Sequence, residues 1–242
     1  SAIHQNVVQR DTAITVRAVV GKRIGMAAAN SLEPEAVLQV VEKAEELARH
    51  QVENPDFRSL PLPKAASRVD GFSEATARLT PLARARAASV VCRRAKESGL
   101  VAAGSFQCTA SQMTVANSLG LFAQHASTFA EMTALVMGES GAGYGNRLAQ
   151  DASDIDAEAV AEEAVGRARR SQNPIALPPG EYPVVLQPYA VSDILDFFGF
   201  LSFGALDLRE GRSFMTGKLG QRVMVENISI WDDGLSPNTI PF

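Results

Sequence analysis

The side chains able to do chemistry in this chain are few. Three histidines, His4, His50 and His125, and two cysteines, Cys92 and Cys108, are the whole supply among 242 residues. No histidine is followed by glutamate, and no two share the spacing that sets a pair of imidazoles on one helix face. A zinc site built from these residues alone is therefore not expected. The cysteine spacing fits neither a CxxC knuckle nor a disulfide framework, and reduced thiols are the simple reading. Cys108 and His125 are the one pair to weigh as nucleophile and base. They flank Asn117-Ser118-Leu119-Gly120. A hairpin turning there leaves them near neighbours at best, so a free core thiol and an ordinary surface histidine are expected.

Other constellations carry weaker signals. The run Gly138-Glu139-Ser140-Gly141-Ala142-Gly143-Tyr144-Gly145 could approach phosphates with bare backbone amides. It lacks the GxxxxGK[ST] pattern, and no helix opens directly behind it. It reads as a flexible loop, with Gly141, Gly143 and Tyr144 the candidates for a substrate-facing flap. Asp151, Asp154, Asp156 and Glu158 do not follow the EF-hand spacing and suit the electropositive start of a helix better than calcium. Arg84, Arg86, Arg93 and Arg94, with Arg167, Arg169 and Arg170, could meet an acidic partner, but a solvated helix face is the plainer account. The loop Arg209-Glu210-Gly211-Arg212-Ser213 is polar and could line a cleft, so Arg209, Arg212 and Ser213 are further candidates for substrate contact.

The elements that position these groups follow from periodicity and punctuation. Residues 12–20 alternate and break at Gly21-Lys22-Arg23, predicting a strand and turn paired with a second strand over 24–29. Ser31-Leu32-Glu33-Pro34 then opens a helix, with Val37, Val41, Ala44 and Ala48 along one side up to His50. Residues 54–64 hold three prolines and predict a surface loop or linker. Thr80-Pro81 starts another helix, with Leu82, Ala85, Ser89, Cys92 and Lys96 tracing one side until Gly99. Residues 100–137 read as antiparallel sheet turning at residues 117–120, and an alanine-rich helix follows, ending near Arg170.

The sharpest compositional border is SQNPIALPPGEYP at 171–183, where prolines crowd between a helix and an apolar run. Beyond it, Val184-Val185-Leu186 predicts a short buried strand, residues 191–203 a strongly apolar helix, and residues 221–231 a further strand. The aromatic run Phe197, Phe198, Phe200 and Phe203 requires a buried position or a subunit interface. The expected architecture is α+β in two domains with antiparallel or mixed sheets and packed helices. The first domain covers 1–171, and the second, 172–242, is expected to be truncated.

Three stretches together resemble the TldD/PmbA, or modulator of DNA gyrase, family. They are VRAVVGKRIGMAAANSLEPEAV, VANSLGLFAQHASTFAEMTALV, and LPPGEYPVVLQPYAVSDILDFF followed by GRSFMTGKLGQRV and ISIWDDG. In the family's metal-binding members an HExxxH helix follows the strand that corresponds to Val184-Val185-Leu186. Here that place reads QPYAVSDI, residues 187–194, without a histidine. The chain thus resembles the TldE, or PmbA, half of the family. The resemblance implies a component of a TldD/TldE-type metallopeptidase system acting on unfolded peptides, with no zinc in this chain. A TldD-like partner subunit would supply the zinc and the water-activating glutamate. The rival readings are a noncatalytic homodimeric peptide-binding protein and an autonomous Cys or Ser hydrolase.

Composition narrows the classes further. Hydrophobic residues are 46% and charged residues 21% of the chain, ordinary for globular domains. A net charge of -4 argues against a nucleic-acid surface. No apolar run is long enough to span a bilayer, no export signal is visible, and a cytoplasmic setting is the expectation.

Overall fold

A computed structural model describes residues 2–65 and 69–236. The chain divides into two compact units, one running up to Pro174 and the other covering Ile175–Asp233.

The first unit begins with a hairpin and a helix. Strands β1 (Ile14–Val20) and β2 (Arg23–Ala29) pair antiparallel, with Val20 opposite Arg23. Gly21 supplies the positive φ of 64° that the turn needs. Helix α1 (Pro34–His50) starts on Pro34 and ends with Arg49 and His50 beside its carbonyl terminus. Val40, Ala44 and Ala48 are its buried residues; Val41, expected in that stripe, is largely exposed, one position round the helix. Gly25 explains the tight fit, since a Cβ there would lie 2.2 Å from the Ala44 carbonyl oxygen.

The rest of this unit is a three-stranded sheet under two helices. In order come α2 (Glu74–Ala77), α3 (Pro81–Glu97), β3 (Val101–Ala116), β4 (Phe122–Met137), β5 (Ala142–Ala149), a 3-10 turn (Ala152–Asp154) and α4 (Ala157–Arg170). The strand order is β3-β4-β5, antiparallel throughout, with Ala116 opposite Phe122 and Met137 opposite both Val101 and Ala142. Alternation along β4 sends Ala130, Met132, Ala134 and Val136 inward. There they meet Val91 and Ala95 of α3 and Val160, Ala161, Ala164, Val165 and Ala168 of α4.

The face of α3 departs from expectation. Val91 and Ala95 are buried, whereas Leu82 is 60% exposed and Ser89 and Lys96 also face solvent. The stripe is rotated because α4 lies against α3 as well as the sheet does, so helix packing, not the sequence's first apolar residue, sets the inward side. The arginines of α3 are not simply solvated either. Arg93 pairs with Glu158, and Arg94 reaches Glu158 at 2.7 Å and Glu162 at 3.0 Å, across the helix pair. The Arg94 guanidinium, bonded to it, holds the Glu158 carboxyl below its usual value. Asp156 and Glu158 stand at the start of α4, as the charge pattern anticipates, and Asp156 also caps it, accepting the amides of Glu158 and Ala159 at 2.9 and 3.2 Å.

Buried hydroxyls anchor α2 to the end of the sheet. Thr128 Oγ1 accepts the Ser73 amide at 2.8 Å and donates to the Gln150 carbonyl at 3.1 Å. Thr76 Oγ1 accepts the Ala152 amide at 2.7 Å and donates to the same carbonyl at 2.9 Å. Ser73 Oγ donates to Asp151 Oδ2 at 2.7 Å. Thr128→Val leaves the Ser73 amide unbonded in a buried place and is expected to cost about 1–3 kcal/mol in urea unfolding. Asp151 titrates below its usual value because the Ser153 hydroxyl, the Ser73 hydroxyl and the Ser153 amide all donate to its charged form. That contribution is complete above about pH 3.9 and is lost as pH falls through the lower folded value. The urea midpoint of Asp151→Asn should therefore trail the native one most near neutrality, and the gap should close below about pH 3.9.

The second unit contains α5 (Pro188–Phe198), a π-helical turn (Gly199–Phe203) and α6 (Ala205–Arg209). The strands expected at 184–186 and 221–231 are absent among the described residues, and Val185 is 95% exposed. Among the described residues neither stretch pairs with a neighbour to build a ladder, and a strand does not hold its shape alone. The aromatic run divides: Phe198 and Phe203 stack at 5.7 Å, with Phe214 tilted against both, while Phe197 and Phe200 face solvent.

Candidate functional site

The glycine run is not a flexible loop. Its second half is strand β5, and its first half is a turn closed by the Gly138 amide on the Gly141 carbonyl at 2.8 Å. The end of α4 grips that turn: Gln172 accepts from the Ser140 amide at 3.2 Å and donates to the Gly141 carbonyl at 3.2 Å. Ser171 Oγ donates to the Ala142 carbonyl at 2.8 Å. The glycines serve packing. A Cβ on Gly143 would sit 2.0 Å from the Ala164 carbonyl oxygen, and one on Gly145 would sit 2.7 Å from that of Val160. Both positions face the helix, which leaves no room for side chains. Gly143→Ala is expected to lower unfolding stability by about 3 kcal/mol, measured by urea denaturation, because backbone rather than a movable side chain blocks the new methyl.

With Gly143 and Gly145 turned toward α4, alternation sends Tyr144 to the opposite face of the sheet. It is 39% exposed there, opposite Leu135 across the strands, and its carbonyl accepts from Arg167 at 2.8 Å. A polar row crosses this outer face. Gln107 and Asn146 donate to the two oxygens of Glu131 at 2.6 and 2.9 Å, and Asn146 also donates to Thr133 Oγ1 at 2.9 Å. Leu135 and Leu148 lie exposed alongside. Amides, hydroxyls and apolar rims in this arrangement can hold a polypeptide by hydrogen bonds and contact. Sequence reading missed Gln107, Glu131 and Asn146. The available signal was their parity, since polar residues recur at alternate positions opposite Met132, Ala134 and Val136.

The remaining candidates lie in the second unit. Arg212 is held by Asp207 and Glu210, each at 2.6 Å, and its amide bonds the Asp207 carbonyl at 2.8 Å. Ser213, 6% exposed, donates to the Ser202 carbonyl at 2.7 Å and accepts the Met215 amide at 3.1 Å. Arg209 forms the last residue of α6. Arg212 thus ties the turn after α6 back to that helix, and Ser213 ties it to the π-helical turn before α6.

The Cys108–His125 pair is not brought together. Cys108 lies opposite Ala130 and His125 opposite Met113, and their positions give them opposite faces of the β3–β4 ladder. Burial raises the Cys108 thiol above its usual value, opposed by the Arg84 charge. A protonated, half-buried thiol is a poor nucleophile. Among the described residues no three His, Cys, Asp or Glu side chains form a group able to hold a metal ion, and no helix is long and apolar enough to cross a membrane.

Three family models align with the chain in order: the PmbA/TldA metallopeptidase domain 1 over residues 1–48, its central domain over 70–172, and its C-terminal domain over 179–242. The chain belongs to the PmbA/TldD family. Its fold is similar to the crystal structure of TldE from Thermococcus kodakarensis, with TM-score 0.74 and 20% identity over 86% of this chain and 53% of that one. A protein described as a candidate modulator of a DNA gyrase from Thermotoga maritima aligns with TM-score 0.72 and 18% identity, over 86% of this chain and 49% of its own. An uncharacterised protein of Methanocaldococcus jannaschii is 29% identical over 49% of this chain and 28% of its own length. The chain thus spans about half the length of the solved relatives it matches.

Within this family the three models put β1–β2–α1 in domain 1, the sheet with α3 and α4 in the central domain, and α5 in the C-terminal domain.

Proposed function

We propose that this PmbA/TldD-family chain is a TldE/PmbA-like component of a TldD/TldE-type metallopeptidase system that processes or degrades unfolded peptides in the cytoplasm. The observation that carries the reading is α5. By the resemblance to the family, it corresponds to the helix that metal-binding members use for zinc, and from Gln187 to Ile194 it offers glutamine, proline, tyrosine, serine and one carboxylate, Asp193, but no imidazole. That donor set does not fit zinc, which takes histidine, cysteine and carboxylate ligands converging at about 2 Å. No step of hydrolysis is therefore assigned to this chain's own residues, and zinc with its activating glutamate belongs to a TldD-like partner.

The role left to this chain is to hold substrate. The outer sheet face, with Tyr144, Leu135 and the Gln107–Glu131–Asn146 row, offers an extended peptide both hydrogen-bonding groups and apolar contact, and it takes the place of the flap anticipated from the glycine run. Arg209 and Arg212 are secondary candidates for substrate contact, whereas the buried Ser213 hydroxyl is occupied by the Ser202 carbonyl and the Met215 amide.

Metal analysis of the full-length protein, purified alone and then with a TldD-like partner, tests the reading alongside peptide hydrolysis. Zinc and hydrolysis are expected only in the mixture; stoichiometric zinc and cleavage by this protein alone would overturn it. In the active mixture Tyr144→Ala should raise KM about fivefold or more while leaving kcat largely unchanged, because a removed binding contact acts on capture and not on the chemical step.

A further inference from the structure

Two hairpin turns of the first unit are held by one proline-rich segment. Residues 54–63 leave the end of α1 carrying Pro55, Pro61 and Pro63. At one end the Asn54 amide donates to the Lys22 carbonyl, in the β1–β2 turn, at 2.9 Å, and Lys22 Nζ donates to the Pro55 carbonyl at 3.3 Å. At the other end Asn117, at the tip of β3–β4, donates through Nδ2 to the Pro61 carbonyl at 2.7 Å. The Pro63 ring lies beside Gly120 of the same tip, with 3.6 Å to where a Cβ would stand.

Asn117 does two jobs with one carboxamide. Its Oδ1 accepts the amides of Leu119 and Leu121 at 3.0 and 3.1 Å and so builds the turn. Its Nδ2 holds the segment. The prolines favour an extended, stiff backbone between the two attachments. The family models end domain 1 at residue 48 and begin the central domain at residue 70, which leaves this segment between them.

We infer that residues 54–63 form a releasable strut that couples the β1–β2 turn of domain 1 to the tip of the central domain's β3–β4 arm, with the Asn117–Pro61 hydrogen bond as its catch. The Asn117–Pro61 and Lys22–Pro55 bonds are exposed to solvent, whereas the hydroxyl anchor further along the arm is buried, so the strut opens first. Opening releases the arm tip from the β1–β2 turn, while the bonds of Asn6 to the Pro81 carbonyl and of Arg84 to Asn6 and Val7 still tie domain 1 to α3.

Asn117→Asp separates the two jobs. The carboxylate keeps an acceptor for the Leu119 and Leu121 amides but has no N–H for the Pro61 carbonyl. Trypsin can cut after Arg58 and Lys64, inside or at the edge of the strut. In the intact protein, cleavage at these bonds should rise about two- to tenfold in Asn117→Asp, the shift expected from losing one neutral hydrogen bond. Gln124→Ala, on the same arm but bonded only to Thr114 at 3.3 Å, serves as the control and should cleave at the native rate. Unchanged cleavage in Asn117→Asp would overturn the inference. So would an equal rise at bonds throughout β3–β4, which would mean the arm had loosened as a whole.

Discussion

The backbone-to-backbone approach of α4 to β5 governs the arrangement of the central domain. Gly143 and Gly145 present no side chain to the helix, and Ala164 and Ala168 present almost none, so the helix lies directly on the strand. Three consequences follow from that closeness. The outward residue between the glycines, Tyr144, is committed to the far face of the sheet. Ser171 and Gln172, just past the helix end, come within hydrogen-bonding reach of the turn before β5 and fix it. Arg167 can reach over the strand to the Tyr144 carbonyl. A larger side chain at either glycine would move the helix and undo all three together.

Polar contacts then set the register of what packing brings close. The Arg93 and Arg94 pairs with Glu158 and Glu162 lie at the exposed rim of α3 and α4, where each contributes little to stability in water. Their value is alignment of the two helices. The hydroxyl cluster of Ser73, Thr76 and Thr128 is different in kind, because it is buried and satisfies backbone groups from α2, the sheet end and the turn before α4 at once.

How much of this was legible in the sequence depended on how local its cause was. The β1–β2 and β3–β4 hairpins, α1, α3 and α4 rest on short-range signals, namely alternation, Pro at a helix start and acidic residues ahead of an alanine-rich run, and those signals were readable. The inward face of α3 depended on α4, some 60 residues away, and the apolar side traced from Leu82 was rotated accordingly. The glycine run was misread because glycine has two uses, freedom of backbone and absence of bulk, and only the location of α4 tells them apart. Val184 to Leu186 and residues 221–231 have strand composition without strand partners among the described residues, and composition cannot supply a ladder. Of the proposed site, Tyr144 is singled out in the sequence as part of a flap that the structure replaces with a strand, while Gln107, Glu131 and Asn146 come together only through the pairing of three strands.

The buried interior of the described residues is built largely of alanine: nine of its fifteen buried hydrophobic residues are alanines, against five valines and one methionine. Such an interior is thin, and its tolerance is set by size before polarity. Overall identity to solved structures of similar fold is 20% or less, and what the packing of this chain resists is added bulk across the seam between sheet and helix. There the chain keeps a narrow gauge, because the alternatives to alanine and glycine are all too wide.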